Sequence, residues 1–293
     1  MLNRKALKFI CCPTCKKTIT EKKEELLCRF CERSYKIKNG IPILIDYKKL
    51  TPHLRKQIKY FEREKASVSK KYKLEHWQEL YLERFLKHAK DKSLIYDCGS
   101  GSGYMAIELA KRGYKVIASD LTYKSVYRIK RIAEKFKIEN NMFFVCSLAE
   151  EIPLKDESVS EFISLAVLEH LSNESESIQE WKRVTKRQGL IFITVPLMFR
   201  YVFPLLWLPN YIHDKRIGHL RRYDYNSLKR KFSLPIKRVY YTGHLIKIAG
   251  MFVGAFFPKS IRWFEDFDDS QSKTSLWANN ITVAMYNRGK NEK

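Results

Sequence analysis

Three glycines spaced two apart, Gly99, Gly101 and Gly103, follow Asp97 at the end of the run Ser93-Leu94-Ile95-Tyr96, and this constrains the fold more than any other stretch. The run reads as a buried strand. The segment after it, Met105-Ala106-Ile107-Glu108-Leu109-Ala110-Lys111-Arg112, reads as a helix, so the glycines occupy a strand-to-helix turn. Without side chains there, a nucleotide-like ligand approaches the backbone closely.

A dinucleotide fingerprint requires its third glycine at position 104, where Tyr104 stands. The next apolar strand, Lys115-Val116-Ile117-Ala118-Ser119, ends in Asp120, at the distance expected of a ribose-binding acid. A carboxylate there accepts from both ribose hydroxyls, or it caps a helix beginning near Thr122. With the glycine turn upstream, the ribose role is the stronger reading.

Two later stretches continue the pattern: Phe143-Phe144-Val145-Cys146-Ser147-Leu148-Ala149-Glu150-Glu151-Ile152-Pro153-Leu154, then Phe162-Ile163-Ser164-Leu165-Ala166-Val167-Leu168-Glu169-His170-Leu171. In order and spacing, residues 93–200 resemble the class I S-adenosylmethionine-dependent methyltransferases. The resemblance implies an α/β, Rossmann-like seven-strand sheet whose final strand is antiparallel. It implies S-adenosylmethionine as cofactor, cradled by Asp97, Gly99, Gly101 and Gly103, with Asp120 on the ribose. The family often has an acid where this chain has Leu148, which shifts adenine recognition to the backbone near Ala149 and to Glu150.

Four of the seven cysteines form two Cys-x-x-Cys knuckles, Cys12 with Cys15 and Cys28 with Cys31. Four thiolates on two tight turns suit a structural zinc ion, and the alternative is a pair of disulfides. Cys11 competes with Cys12 as a ligand, yet only Cys12 has the two-residue gap to Cys15. Cys98 and Cys146 read as small core residues. The alternation of Tyr35 to Ile45 about Gly40 resembles the small zinc ribbons that partner or fuse with methyltransferases, some of which act on tRNA and rRNA.

The formal charge of +24 in 293 residues points to a polyanionic partner: nucleic acid, an anionic membrane surface or an acidic glycan. An evenly spread lysine background is the alternative. No signal peptide and no uninterrupted apolar stretch of about 20 residues is readable, so a cytoplasmic enzyme is expected.

Three segments follow from these readings: a zinc-ribbon module over 1–47, a helical linker and cap over 48–92, and a methyltransferase domain over 93–290 with a lid insertion at about 197–235. In the linker, Trp77, Leu80, Tyr81, Arg84, Phe85 and His88 recur at helical spacing and predict a helix packed under the cofactor domain. A helix over 177–187 is expected to stop near Gly189, before the strand 190–195. The insertion is apolar and aromatic over 198–208, as suits a lipid tail, a membrane surface, a partner or simple core packing. Beyond it, Arg221, Arg222 and Tyr223 are candidates for substrate recognition, or the two arginines pair with acids on the following helix. A helix is expected over 245–257, a last strand over 280–286, and a frayed tail from Asn287.

Methyl transfer from a sulfonium demands alignment above all, and an oxygen nucleophile gains from a base. His170, after the fourth strand, is the first candidate base and His219 the second; His170 as a purely structural residue is the alternative. Three functions compete: methylation of a small-molecule, glycan or lipid-linked acceptor; methylation of rRNA or tRNA gripped by the zinc module and basic surface; and non-catalytic binding by a degenerate cofactor site. The sequence ranks the first highest.

Overall fold

The computed structural model describes residues 8–64 and 72–288. The first seven residues of the expected ribbon module, residues 65–71 of the linker and the tail from 289 lie outside them.

The chain starts with four short strands, β1 (Thr20–Lys22), β2 (Glu25–Cys28), β3 (Arg33–Lys38) and β4 (Ile41–Leu44). Successive antiparallel pairing joins them, with the β3–β4 turn at Asn39 and Gly40. Two helices follow, α1 (Pro52–Glu64) and α2 (His76–Leu86). Of the expected stripe, Tyr81, Arg84 and Phe85 are buried in α2, with Leu82 beside them, while Trp77, Leu80 and His88 are half-buried; the Arg84 side chain pairs with Asp269.

Strand β5 (Leu94–Cys98) opens the α/β part, followed by α3 (Tyr104–Lys111), β6 (Lys115–Asp120), α4 (Tyr123–Phe136), β7 (Met142–Ser147), β8 (Val159–Leu165), α5 (Glu174–Val184) and β9 (Thr185–Pro196). The central strands β5 and β6 are buried almost end to end, as strands covered on both faces must be. Next come α6 (Trp207–Ile217), α7 (Tyr225–Phe232), β10 (Ile236–Thr242), α8 (Leu245–Phe256), α9 (Ser260–Ser270) and β11 (Asn280–Tyr286).

The sheet order is β1-β2-β3-β4-β7-β6-β5-β8-β9-β11-β10. Its last seven members form the expected α/β sheet, and β11 runs antiparallel to both neighbours. Chain order turns back at β5, which lies between β6 and β8, so the crevice beyond the carboxyl ends of β5 and β8 is where such sheets bind ligands. One feature was not legible: β4 pairs in parallel with β7, Ile43 opposite Cys146 and Leu44 opposite Ser147, so the cysteine module and the α/β sheet are continuous.

Beneath the crevice, Tyr96 stacks on Phe162 at 5.6 Å and Phe162 on Trp181 at 5.1 Å. The Trp181 indole N–H donates to the Ala149 carbonyl at 3.1 Å, which ties the loop after β7 to the core.

Two boundaries differ from expectation. Helix α5 stops at Val184, because Thr185 already takes extended geometry and starts a long β9 that carries Gly189 inside it. Asn287 is not frayed: its side-chain amide donates to the carbonyls of Lys182 at 2.8 Å and Thr185 at 2.6 Å, closing the α5–β9 corner. Among the described residues no helix is long and apolar enough to cross a membrane.

Candidate functional site

A cavity of about 300 Å³ opens at the sheet's turning point. Its floor comes from the first turn. Gly99 holds φ +69°, and a Cβ there would stand 2.4 Å from Cγ2 of Val167, another residue lining the cavity. Gly103 holds φ +83° as the N-cap of α3, and a Cβ there would strike Ile129 of α4 at 2.5 Å. The first and third glycines thus serve the turn and its packing, while Gly101 lines the cavity with Gly99 and Cys98.

Asp120 lines the cavity and performs the local task as well. Its Oδ2 accepts from the Gly101 amide at 2.9 Å; its Oδ1 accepts from the Thr122 amide at 2.9 Å and hydroxyl at 2.8 Å. A carboxylate has about four acceptor positions, and these bonds aim the group at the cavity. Asp97 is 3% exposed, behind the glycine loop, with one oxygen lacking a hydrogen-bond partner among the described residues. Burial pushes its carboxyl up to about 7, against the opposing Ser100 bond, and the nearby Asp120 adds to the rise. Leu148, Ala149 and Glu150 form a further wall, and burial raises the Glu150 carboxyl. An apolar slot flanked by backbone and a carboxylate over a glycine floor fits the nucleoside end of S-adenosylmethionine.

The opposite wall consists of Leu54, Gln57 and Phe61 from α1 together with Val167, His170 and Leu171. The 197–235 insertion braces this roof: the Gln57 amide donates to the carbonyls of Ile217 at 3.1 Å and Gly218 at 3.3 Å. His219 reaches it too, its ring 4.6 Å from that of His170. Burial first, with His219 adding, holds the His170 imidazole down at about 3, so it is neutral and weakly basic. That suits a ligand or hydrogen-bonding group better than a general base, which works best near the operating pH.

Glu169 was not singled out in the sequence although it stands beside His170. It is wholly buried, and burial pushes its carboxyl up to about 8. Asp214 was missed as well. It accepts from His219 Nδ1 at 2.8 Å and from Arg222 at 2.6 and 3.0 Å. Although burial opposes it, these partners hold Asp214 below the usual carboxylate range.

The three substrate candidates do not line the cavity. Arg222 is spent on Asp214 and the Leu197 carbonyl; Arg221 donates to the Leu171 carbonyl at 2.7 Å and faces Glu174. Tyr223 is 1% exposed and donates to Glu174 at 2.7 Å. The arginines do pair with acids, but these lie on the preceding helices α5 and α6 rather than on the following helix as expected.

At the other end of the chain, Cys12 Sγ lies 3.6 Å from that of Cys31, and Cys15 Sγ 3.4 Å from that of Cys28; all four lie within 4.8 Å of one another. These separations exceed a disulfide bond of about 2.05 Å. They approach the edge of about 3.8 Å that a tetrahedral zinc–thiolate site implies, so the four sulfurs fit that ion. Cys11 stands outside the group, its thiol pushed up to about 11 by burial.

Comparison with known proteins matches both parts. The methyltransferase-domain family matches residues 96–193, and the Trm112p-like protein family matches residues 3–40. An Escherichia coli tRNA 5-carboxymethoxyuridine methyltransferase is 31% identical over 117 residues, 39% of this chain and 44% of its own length. A Rickettsia typhi ubiquinone biosynthesis O-methyltransferase is 26% identical over 147 residues, 46% of this chain and 58% of its own. The chain thus spans roughly half the length of these relatives. A solved Haloferax volcanii complex of a Trm112 methyltransferase activator with a methyltransferase aligns with TM-score 0.54 at 15% identity, covering 73% of this chain and 90% of that one, a likeness of fold. Taken with the glycine floor and Asp120, these matches identify residues 96–193 as an S-adenosylmethionine-dependent methyltransferase domain and residues 3–40 as a Trm112p-like module.

Proposed function

We propose that the chain transfers the methyl group of S-adenosylmethionine to an acceptor carried on RNA. The observation that carries the acceptor class is the roof helix. α1 turns Leu54, Gln57 and Phe61 toward the cavity and leaves Arg55, Lys56, Lys59 and Arg63 exposed, with Lys48 and Lys49 exposed just before it. Cations on the outer face of the helix that roofs the pocket engage the phosphates of a polyanion, and the segment that presents them leads directly from the cysteine module to the cleft. The similarity to a tRNA methyltransferase supports the same reading.

Bound S-adenosylmethionine supplies an electrophilic methyl group. The chain's residues hold and orient it: Asp120 and the Gly99–Gly101 loop at the ribose, Leu148, Ala149 and Glu150 at the base, with Phe61 and His170 bordering the acceptor's approach. The α1 roof excludes water. Four thiolates from Cys12, Cys15, Cys28 and Cys31 would hold a zinc ion that stiffens the module and leaves no open coordination position for catalysis.

A second reading, a lipid-linked acceptor, is favoured by the insertion, where Leu205 is 81% exposed, Leu208 67% and Ile212 58%. One experiment separates them. Incubation of the purified chain with methyl-labelled S-adenosylmethionine and fractionated cell extract should place label in ribonuclease-sensitive material. Label confined to the organic-solvent extract would overturn the RNA reading in favour of the lipid one, and no label in any fraction would leave a binding protein.

A further inference from the structure

We propose that Glu169, His170 and His219 bind a divalent cation at the acceptor end of the pocket, separate from the four-cysteine site. Each offers one ligand atom, and the three atoms lie within 4.8 Å of one another. Glu169 is 0% exposed, and neither of its oxygens has a hydrogen-bond partner among the described residues. His170 Nδ1 is likewise buried without a partner. A carboxylate taken out of water beside two imidazoles, approached only by His219 Nε2 at 3.5 Å from one oxygen, lacks the close partners that make such burial favourable, and a metal ion between the three groups would supply them.

The surroundings prepare the ligands. His219 Nδ1 is committed to Asp214 at 2.8 Å, which leaves Nε2 free toward Glu169, 3.5 Å from its Oε1. Asp214 is itself clamped by Arg222. A carboxylate that fixes the far nitrogen of a histidine is the recurrent support of metal-bound imidazole.

The turn bearing Glu169 and His170 is held at four successive carbonyls. The Tyr223 hydroxyl, whose proton goes to Glu174, lies 3.3 Å from that of Leu168, while the Leu220 amide donates to Glu169 at 2.8 Å, His53 Nε2 to His170 at 2.8 Å and Arg221 to Leu171 at 2.7 Å. This accounts for the inward bonds of half-buried Arg221 and Arg222 and for buried Tyr223: they are positioning residues for the turn and for Asp214. Two imidazoles and one carboxylate suit Mn²⁺, Fe²⁺, Co²⁺ or Zn²⁺ better than Ca²⁺ or Mg²⁺.

His170 lines the cofactor cavity, so an acceptor hydroxyl on the cation meets the donor side. That use rests on the methyl-transfer reading; the binding of the ion does not. The cation favours loss of the hydroxyl proton to water. The oxygen–carbon bond then forms as the carbon–sulfur bond of the sulfonium breaks, leaving a neutral thioether and one proton released to solvent.

The test uses the full chain dialysed to one zinc per molecule and titrated with Mn²⁺, read by loss of the free-ion paramagnetic resonance signal, and separately with Co²⁺, read by its visible absorption. One further ion per chain is expected. Glu169→Gln and His219→Ala should each weaken binding at least ~10-fold, and Asp214→Asn by ~10- to 100-fold, the range typical of a lost outer partner. Thermal unfolding of each variant separates lost binding from lost folding. If neither ion binds beyond the first zinc, or if a folded Glu169→Gln chain binds as the parent does, the site is refuted. Methyl transfer that fails while the ion still binds would refute the reaction and leave the site standing.

Discussion

On the cofactor wall, the polar groups facing the cleft come from turns between consecutive elements of residues 97–150, and a key bond, Gly101 to Asp120, joins adjacent loops 19 residues apart. The opposite wall instead draws on 54–61 and 167–171, braced from behind by 213–223, and the contacts that shape it join residues 50, 55 and 117 apart. The first wall is held by its own neighbourhood: Asp120 accepts from the Gly101 amide and from the Thr122 amide and hydroxyl, and only one oxygen of Asp97 behind it lacks a partner among the described residues. The second gathers buried groups that stay unpaired, Glu169 and His170 foremost. A surface made from successive strand ends follows from local chain order, whereas one made from distant segments depends on how those segments close in space.

Strand β8 offers an internal control, because Glu161 is fully buried near its start while Glu169 follows its end. Glu161 accepts from the Lys90 amide at 2.9 Å, and its other oxygen has no partner. Burial pushes its carboxyl up to about 7, so the folded chain holds a proton that the unfolded chain releases from about pH 4.5 upward. Stability should therefore fall as pH rises from about 4.5 to 7. Glu161→Gln should recover on the order of 3 kcal/mol at pH 8 and little at pH 4, measured by denaturant unfolding. An unchanged pH profile would show that burial of a lone acid is tolerated here, and the contrast between the walls would weaken.

Asp120→Ala removes the anchor of the cofactor wall and should weaken S-adenosylmethionine binding at least ~100-fold by calorimetry, since bonds to a charged acceptor contribute about 1.5–3 kcal/mol each. Equal affinity would exclude the ribose role. The double reversal Lys56→Glu with Lys59→Glu touches only the outer face of the roof. It should reduce RNA retention about tenfold at low salt and flatten the salt dependence, with cofactor affinity unchanged. Retention that does not move would detach RNA from the opposite wall. Smallest is Tyr223→Phe, which leaves Glu174 with one donor fewer and should cost about 1 kcal/mol of stability. A larger loss of methyl transfer than of stability would sharpen the case that this tyrosine positions the 168–171 turn.

The glycine turn, Asp120, the four cysteines and the seven-strand α/β sheet were readable because each depends on short-range rules: left-handed backbone at a turn, a strand's terminal acid, the spacing of two knuckles, the period of buried strands. His170 and His219 were also found, by their place after strand four and in the cleft-facing loop, yet their partner Glu169 was passed over. An acid beside a histidine carries no pattern of its own; only burial without a donor marks it. The same holds for α1, whose Leu54, Gln57 and Phe61 were not singled out in the sequence and gain a role only when the fold lays that face over the cavity.

Tertiary structure alone decided that β4 joins the cysteine module to β7, that Arg221, Arg222 and Tyr223 turn inward, and that Glu169, His170 and His219 converge. Hydrophobic period and turn chemistry act between residues a few positions apart, so they are written along the chain. The pairing of a strand edge or the meeting of side chains from three segments depends on how those segments close in space, and many sequences with the same local pattern would close differently.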